Sequence, residues 1–264
     1  MGTIVVTGSA GGIGAATVAR LSDAGHRVIG VDVRDADVLA DLATPEGRTA
    51  MVEAVTEASG GVLDGLVAAA GVQGKPGELV LSVNYFGAVA TLDGLRPLLA
   101  RSTQPGGASA VAVCSNSATT QPGLPATMVE SCLAGDEDAS RLLGLDDPSG
   151  LNAYGSSKLA LARWLRRSAT QPDWVGQGIR LNAVAPGLIE TPMTTGMLDM
   201  VFGLGDVFPM PMQRAGTADE VAGLLAYLLG PEAAFFCGAV LVMDGGTEAA
   251  LRSDHWPAPL APTD

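Results

Sequence analysis

The strongest constraint on this chain is the form of its apolar runs. Ile4-Val5-Val6, Arg27 to Val33, Leu66 to Ala70, Ala110 to Cys114, Ile179 to Val184 and Val240 to Met243 are continuous stretches, not alternations of apolar and polar residues. A strand that is apolar at nearly every position is covered on both faces, the condition of a parallel sheet with helices above and below it. Helical patterns fill the gaps at Ile13 to Leu21, Pro45 to about Ala58, Glu78 to Ala100, about Asn152 to Ala169, and a last stretch ending before Pro231. Thr44-Pro45 supplies an N-cap and a first-turn proline, and Thr217-Ala218-Asp219-Glu220 is a capping box. Val38 to Leu42 reads as a brief additional strand. Strands alternating with helices predict an α/β fold built on a doubly wound parallel sheet. No internal repeat or linker divides the chain, so one domain is expected over residues 1–264.

Composition narrows the class of partner. Fifteen Lys and Arg against 28 Asp and Glu give a net charge of −13, which repels nucleic-acid backbones and anionic lipid. Val221 to Met243 is apolar, but Gly230-Pro231-Glu232 breaks it into pieces too short to span a bilayer. No basic segment precedes the first strand, so no signal peptide is expected. Cys114, Cys132 and Cys237 are odd in number and lack metal-ligand spacing. A reduced, cytoplasmic setting without a metal site is expected, with the cysteines as packing residues. His26 and His255 stand far apart and form no metal or triad pattern.

Thr7-Gly8-Ser9-Ala10-Gly11-Gly12-Ile13-Gly14 joins the first strand to the first helix. Gly8 permits the tight turn, Gly12 lets backbone N–H groups approach a pyrophosphate, and Gly14 lets helix and strand pack closely. An acid follows at Asp32, the end of the second strand, where this Rossmann-type arrangement places a partner for the ribose hydroxyls. Its charge disfavours a 2′-phosphate, so NAD is the expected cofactor, and Arg34, two places further on, reads as a solvated surface charge.

Tyr154-Gly155-Ser156-Ser157-Lys158 puts a Tyr and a Lys at i and i+4, on one helix face. A Tyr is a poor base near neutrality. A Lys⁺ about 4 Å away, at an effective dielectric near 20, contributes about 4 kcal/mol toward the phenolate. Together the glycine loop, Asp32 and this pair resemble the short-chain dehydrogenase/reductase family over nearly the whole chain. The resemblance implies further roles. Asn84, in Val83-Asn84-Tyr85-Phe86-Gly87, is the implied proton-relay residue, anchoring a water. Ser115, in Val113-Cys114-Ser115, is the implied substrate-binding hydroxyl, with Ser117 as its less apt substitute. The stretch Pro186-Gly187-Leu188-Ile189-Glu190-Thr191 is implied to hold the nicotinamide carboxamide, through the backbone of Ile189 and the hydroxyl of Thr191. Ile13 and Gly71 join the implied cofactor set, and Asp244-Gly245-Gly246 matches a structural motif after the last strand.

Two departures stand out. The family's Asn-Asn-Ala-Gly is here Ala68-Ala69-Ala70-Gly71, so side-chain hydrogen bonds bracing the sheet are expected to be lost. Ser115 and Tyr154 also lie much further apart than the family commonly has them, and an insertion at about 117–150 is the simplest account. That insertion, with Ala24 to Leu42 and Ser82 to Ala88, is similar to the branch of bacterial 3α-hydroxysteroid dehydrogenase/carbonyl reductases, in which Asp41 and Leu42 would flank the adenine, and the shortness of the stretch from Asp32 to Leu66 supports this. The implied activity is NAD-dependent interconversion of a secondary alcohol and a ketone, a 3α-hydroxysteroid or similar hydrophobic carbonyl compound. A terpenol or aromatic diol is the same-class alternative, and a catalytically silent NAD-binding sensor the different-class one.

Residues 191–214 occupy the place of a substrate lid and carry Met193, Met197, Met200, Met210 and Met212. Thioethers suit a wall that moulds around a large apolar ligand, and equally suit ordinary packing. The acidic stretch Gly135-Asp136-Glu137-Asp138 in the insertion reads as a solvated face. The insertion is expected to block one contact between subunits, favouring a homodimer through the last strand and helix. The tail from Arg252, with Trp256 and three prolines, is expected to be non-helical.

Overall fold

The apolar runs pair side by side in one seven-stranded sheet, every neighbouring pair parallel. The computed structural model describes residues 1–196 and 198–255. Met197 and the part of the expected tail from Trp256 onward lie outside the described residues. The strands are β1 (Thr3–Thr7), β2 (Arg27–Asp32), β3 (Val38–Leu39), β4 (Gly65–Ala68), β5 (Ala108–Val113), β6 (Ile179–Pro186), a two-residue β7 (Ile189–Glu190) and β8 (Gly216–Thr217), and β9 (Val240–Met243). The main sheet runs β3-β2-β1-β4-β5-β6-β9, while β7 and β8 pair only with each other. The helices are α1 (Gly12–Asp23), α2 (Pro45–Ser59), α3 (Gly77–Leu81), α4 (Ala88–Leu99), α5 (Ser117–Thr120), α6 (Ala126–Leu133), α7 (Glu137–Gly144), α8 (Leu151–Ala169), α9 (Leu198–Phe202), α10 (Ala218–Leu229) and α11 (Thr247–Leu251).

The central strands feed two cores. Val5 joins Leu66, Ala110 and Leu181 under Met51, Leu92 and Leu161 on one face. Its neighbours Ile4 and Val6 join Val67, Val111 and Val184 under Leu21, Val221 and Leu225 on the other. This two-sided burial explains the unbroken apolar strands. Strand order reverses at β1, which pairs with β2 on one side and β4 on the other. In open α/β sheets the crevice at such a switch point, beyond the carboxyl ends of the strands, is where ligands bind.

Both expected caps form. Thr44 accepts from Gly47 N at 3.1 Å, and Thr217 and Glu220 close the capping box. The expected helix over Glu78 to Ala100 forms, unbroken from Gly77 to Leu99, but not as a uniform α-helix. A π-helical stretch, Ser82–Gly87, separates α3 from α4. The carboxamide of Asn84 is drawn to the backbone of Val72, which a straight α-helix does not have to accommodate. The expected strand Val38 to Leu42 ends at Leu39, because Asp41 turns the chain by accepting Ala43 N.

Candidate active site

The glycine loop is built for close approach. Gly8 has φ +72°, a left-handed conformation that favours glycine, and a Cβ on it would come within 2.9 Å of the Ala70 backbone. A Cβ on Gly14 would strike the Gly8 carbonyl. The N-cap of α1 is Gly11, which brings no side chain to the first-turn N–H groups. These groups are left for an anion, so the loop fits the pyrophosphate of a dinucleotide. Asp32 stands beside it: Oδ2 accepts Ala10 N at 3.0 Å and Oδ1 accepts Val33 N at 2.7 Å. Arg34 is exposed, as expected of a solvated charge. Asp41 is exposed, while the Leu42 side chain is buried in the core, so only the backbone of Leu42 can face a cofactor.

The feared loss of bracing at Ala68-Ala69-Ala70-Gly71 is made good from other elements. Thr7, at the end of β1, accepts Ala69 N at 3.2 Å and Ala70 N at 3.1 Å through its hydroxyl. Fully buried Asn84 clamps the next residue, accepting Val72 N at 2.8 Å and donating to Val72 O at 2.9 Å. Each end of its carboxamide thereby has one partner, which leaves a second N–H and a second lone pair. A Cβ on Gly71 would meet Asn84 Oδ1 at 3.2 Å and Lys158 Nζ at 3.6 Å, which places both groups against that one glycine.

Ser115 follows β5, and Tyr154 and Lys158 descend one face of α8 onto it. The Ser115 hydroxyl lies near the Tyr154 phenol and favours its ionised form. Lys158 Nζ donates to Val113 O at 2.8 Å and lies 5.9 Å from the centre of the Tyr154 ring. The ammonium and the Ser115 hydroxyl thus both lie near the Tyr154 ring. Burial pushes the Tyr154 phenol up and the Ser115 hydroxyl pulls it down, while burial also lowers Lys158. Cys114, next to Ser115, is a packing residue: burial, against the charge of Lys158, pushes its thiol up to about 11.

On the far side, Pro186 ends β6, and Gly187 N donates to Met243 O at 3.1 Å. Asn116, which the sequence reading passed over, donates to Asp244 Oδ2 at 3.0 Å and joins β5 to the turn after β9. Thr191 packs against the loop, 3.4 Å from where a Gly12 Cβ would sit. Thr194, also unforeseen, accepts Thr191 N at 3.0 Å and donates to Ile189 O at 2.6 Å, fixing that turn. A cleft of about 100 Å³ is lined by Ile13, Gly71, Tyr154, Lys158, Gly187 and Thr191 among others, so residues expected to hold cofactor and to do chemistry share one space. A larger hollow of about 980 Å³ opens at the opposite ends of the strands, beside Ile4, Gly65 and Arg180, and contains none of them. Among the described residues no metal-binding cluster occurs, and no helix is long and apolar enough to cross a membrane.

A glycine-loop crevice at a switch point, with Ser, Tyr and Lys gathered beside it, defines a dinucleotide-dependent oxidoreductase. Comparison with known proteins gives the family. The short chain dehydrogenase model matches residues 2–126, and the enoyl-(acyl carrier protein) reductase model matches residues 146–248. The 3-alpha-hydroxysteroid dehydrogenase/carbonyl reductase of Comamonas testosteroni is 39% identical over 96% of this chain and 98% of its own length. Coniferyl-alcohol dehydrogenase of Pseudomonas sp. (strain HR199 / DSM 7063) is 32% identical over 92% and 95%. The crystal structure of the 3-alpha-hydroxysteroid dehydrogenase from Pseudomonas sp. B-0831 complexed with NADH superposes with TM-score 0.84 at 44% identity, over 96% of this chain and 99% of that one. The chain belongs to the short-chain dehydrogenase/reductase family and is an oxidoreductase that uses a nicotinamide dinucleotide.

Proposed function

We propose that the chain interconverts a secondary alcohol and a ketone with NAD, and that the substrate is a 3α-hydroxysteroid or a similar hydrophobic carbonyl compound. The observation that carries the reaction is the convergence of Tyr154 and Lys158 on one cleft with Ile13 of the glycine loop and Thr191, with the Ser115 hydroxyl near enough to pull the Tyr154 phenol down. Support for NAD over NADP comes from Asp32, whose carboxylate lies at the loop, and from the relative crystallised with NADH. Support for the steroid comes from the names of two relatives and from the segment after Ile189, where Met193, Met200, Phe202, Val207 and Met212 are exposed apolar side chains.

The cofactor is held by the N–H groups of the first turn of α1 around Gly12, Ile13 and Gly14, by Asp32 on the ribose, by Asp41 and the Leu42 backbone at the adenine, and by Pro186, Gly187, Ile189 and Thr191 at the carboxamide. When bound, the nicotinamide ring accepts the hydride released by the carbinol carbon. Tyr154 Oη takes the hydroxyl proton of the alcohol, and in reduction returns a proton to the carbonyl oxygen. Ser115 Oγ holds that same oxygen and steadies the phenolate. Lys158 supplies positive charge and holds ribose. Asn84 fixes the turn whose carbonyls seat a water leading protons outward.

The chain reads as one domain over residues 1–264, with an insertion at about 117–150 and a lid at about 191–214. Helix α7 packs on α3, and α6 on α8, covering a face that would otherwise be open to a second subunit. Tyr227 and Phe235, near the other edge of the sheet, are exposed, which supports a homodimer through α10 and β9. A cytoplasmic location accords with three free cysteines and with the absence of a membrane-length helix among the described residues.

The test is NADH formation from NAD⁺ with androsterone, beside NADP⁺ and a panel of terpenols and aromatic diols. Turnover of the steroid with NAD⁺ is expected. Turnover of panel alcohols alone refutes the steroid, and NADH binding without turnover of any alcohol or ketone refutes the enzyme reading in favour of a sensor.

A further inference from the structure

Arg48 is charged, near the start of α2, and only 8% exposed. Its guanidinium is spent on three segments at once. Nε donates to Leu42 O at 2.8 Å, and Nη2 donates to Ala43 O at 3.3 Å and Ser82 O at 3.0 Å. The same fork pairs bidentately with Glu137 of α7, at 2.6 and 2.7 Å. Arg141, one turn along α7, donates to Ser82 Oγ at 3.0 Å. Burial would raise the Glu137 carboxyl, but hydrogen bonds and charge from Arg48, with Ser82 and Arg141, hold it below the usual range. The acidic stretch expected to be a solvated face therefore contributes one carboxylate to a half-buried pair.

What Arg48 grips is backbone, and part of that backbone belongs to the loop assigned to the adenine. Leu42 and Ala43 lie in the loop assigned to the adenine, and Ser82 opens the π-helical stretch that carries Asn84. The two segments touch: a Cβ on Gly87 would come within 3.0 Å of both Leu42 Cβ and Leu42 O. A planar fork is needed to reach so many acceptors, and an ammonium cannot match it. As a stabilising device the pair gains little, because desolvating two charges offsets most of their attraction. Its distinctive effect is to fix where the Leu42 and Ala43 carbonyls stand. We infer that Arg48, locked by Glu137, is a positioning residue for the adenine-binding loop, which makes the 117–150 segment a working part of cofactor binding.

This inference rests on the reading of Asp41 and Leu42 as the adenine loop, and the experiment separates the two. NADH dissociation constants, AMP inhibition constants, and KM and kcat for NAD⁺ are measured for the wild type and for Arg48→Lys, Glu137→Gln, Asp41→Ala and Asp138→Asn. Glu137→Gln keeps the side-chain shape, so it tests the idea even if Arg48→Lys folds poorly. Asp138 is exposed on the same turn and controls for charge alone. Arg48→Lys and Glu137→Gln are expected to weaken NADH and AMP by the same factor of about ten, with kcat at saturating NAD⁺ within about twofold. Asp138→Asn should match the wild type. Unchanged NADH and AMP affinity with a lowered Tm would make the pair merely structural and overturn the inference. A fall in kcat at unchanged affinity would overturn it too, placing the effect on the Asn84 turn. Full NADH and AMP affinity in Asp41→Ala would instead remove the adenine-loop reading.

Discussion

Replacing Asp32 by Asn tests whether this carboxylate is a charge filter. The change keeps an oxygen that can accept Ala10 N, now at 3.0 Å, and removes the charge. A 2′-phosphate on the ribose would stand roughly 5 Å from the carboxylate, in a half-exposed setting with an effective dielectric near ~40. Repulsion is then about 1.7 kcal/mol per unit of phosphate charge, or about 3 kcal/mol for a group carrying about −1.5 to −2. That corresponds to about 100-fold in affinity. Asp32→Asn should therefore raise kcat/KM for NADP⁺ by up to about 100-fold, and lower it for NAD⁺ by about tenfold through weaker hydrogen bonds to the ribose hydroxyls. Exposed Arg34 is free to reward the phosphate once the repulsion is gone. Initial rates with both cofactors at fixed alcohol decide the matter. Equal losses with NAD⁺ and NADP⁺ would refute the reasoning, leaving Asp32 as a structural tie to the glycine loop.

Tyr154→Phe should bind NADH within about twofold of the wild type, by fluorescence titration, yet lose about 10³-fold or more in turnover; persistent turnover would remove Tyr154 from the proton path. Because burial raises the Tyr154 phenol, alcohol oxidation should speed up as pH rises into the alkaline range. Ser115→Ala removes the hydroxyl that opposes that rise, so the alkaline limb of kcat/KM should move to higher pH; a limb that stays in place would exclude direct coupling of the two hydroxyls. Thr217→Ala breaks the capping box of α10 and should cost about 1 kcal/mol, lowering Tm by about 2–4 °C in calorimetry. Glu220, in the same box, is held down to about 2 by Arg214 and the Thr217 backbone. A depressed carboxyl contributes stability present above its ordinary 4.5 and lost as pH falls through about 2, so Glu220→Gln should flatten the stability profile within that window.

Legibility in the sequence followed the distance over which each interaction acts. The glycine loop and the Tyr154–Lys158 pair are local: spacing alone sets a turn conformation or a helix face, and the structure places both as expected. Strand membership was equally readable, because burial on two faces leaves its mark on every residue of a strand. Asn84 was legible as a residue but not as a geometry. Its capture by Val72 accompanies a π-helical stretch inside the expected helix, and nothing in Val83-Asn84-Tyr85 signals that the preceding loop passes within reach. Thr7 carried a weaker clue, a hydroxyl closing an otherwise apolar strand, yet its acceptors lie in a segment brought alongside only by the β1–β4 pairing. Glu137 is the extreme case. Four residues of acidic context argue for solvent, and the partner that overrules them sits 89 positions earlier on another helix. Charge patterning describes a residue among its chain neighbours, whereas an ion pair is a property of two surfaces that meet. The residues most apt to be misread from sequence are therefore those that tie one segment of the cleft to another, and among them those holding the cofactor loops in place.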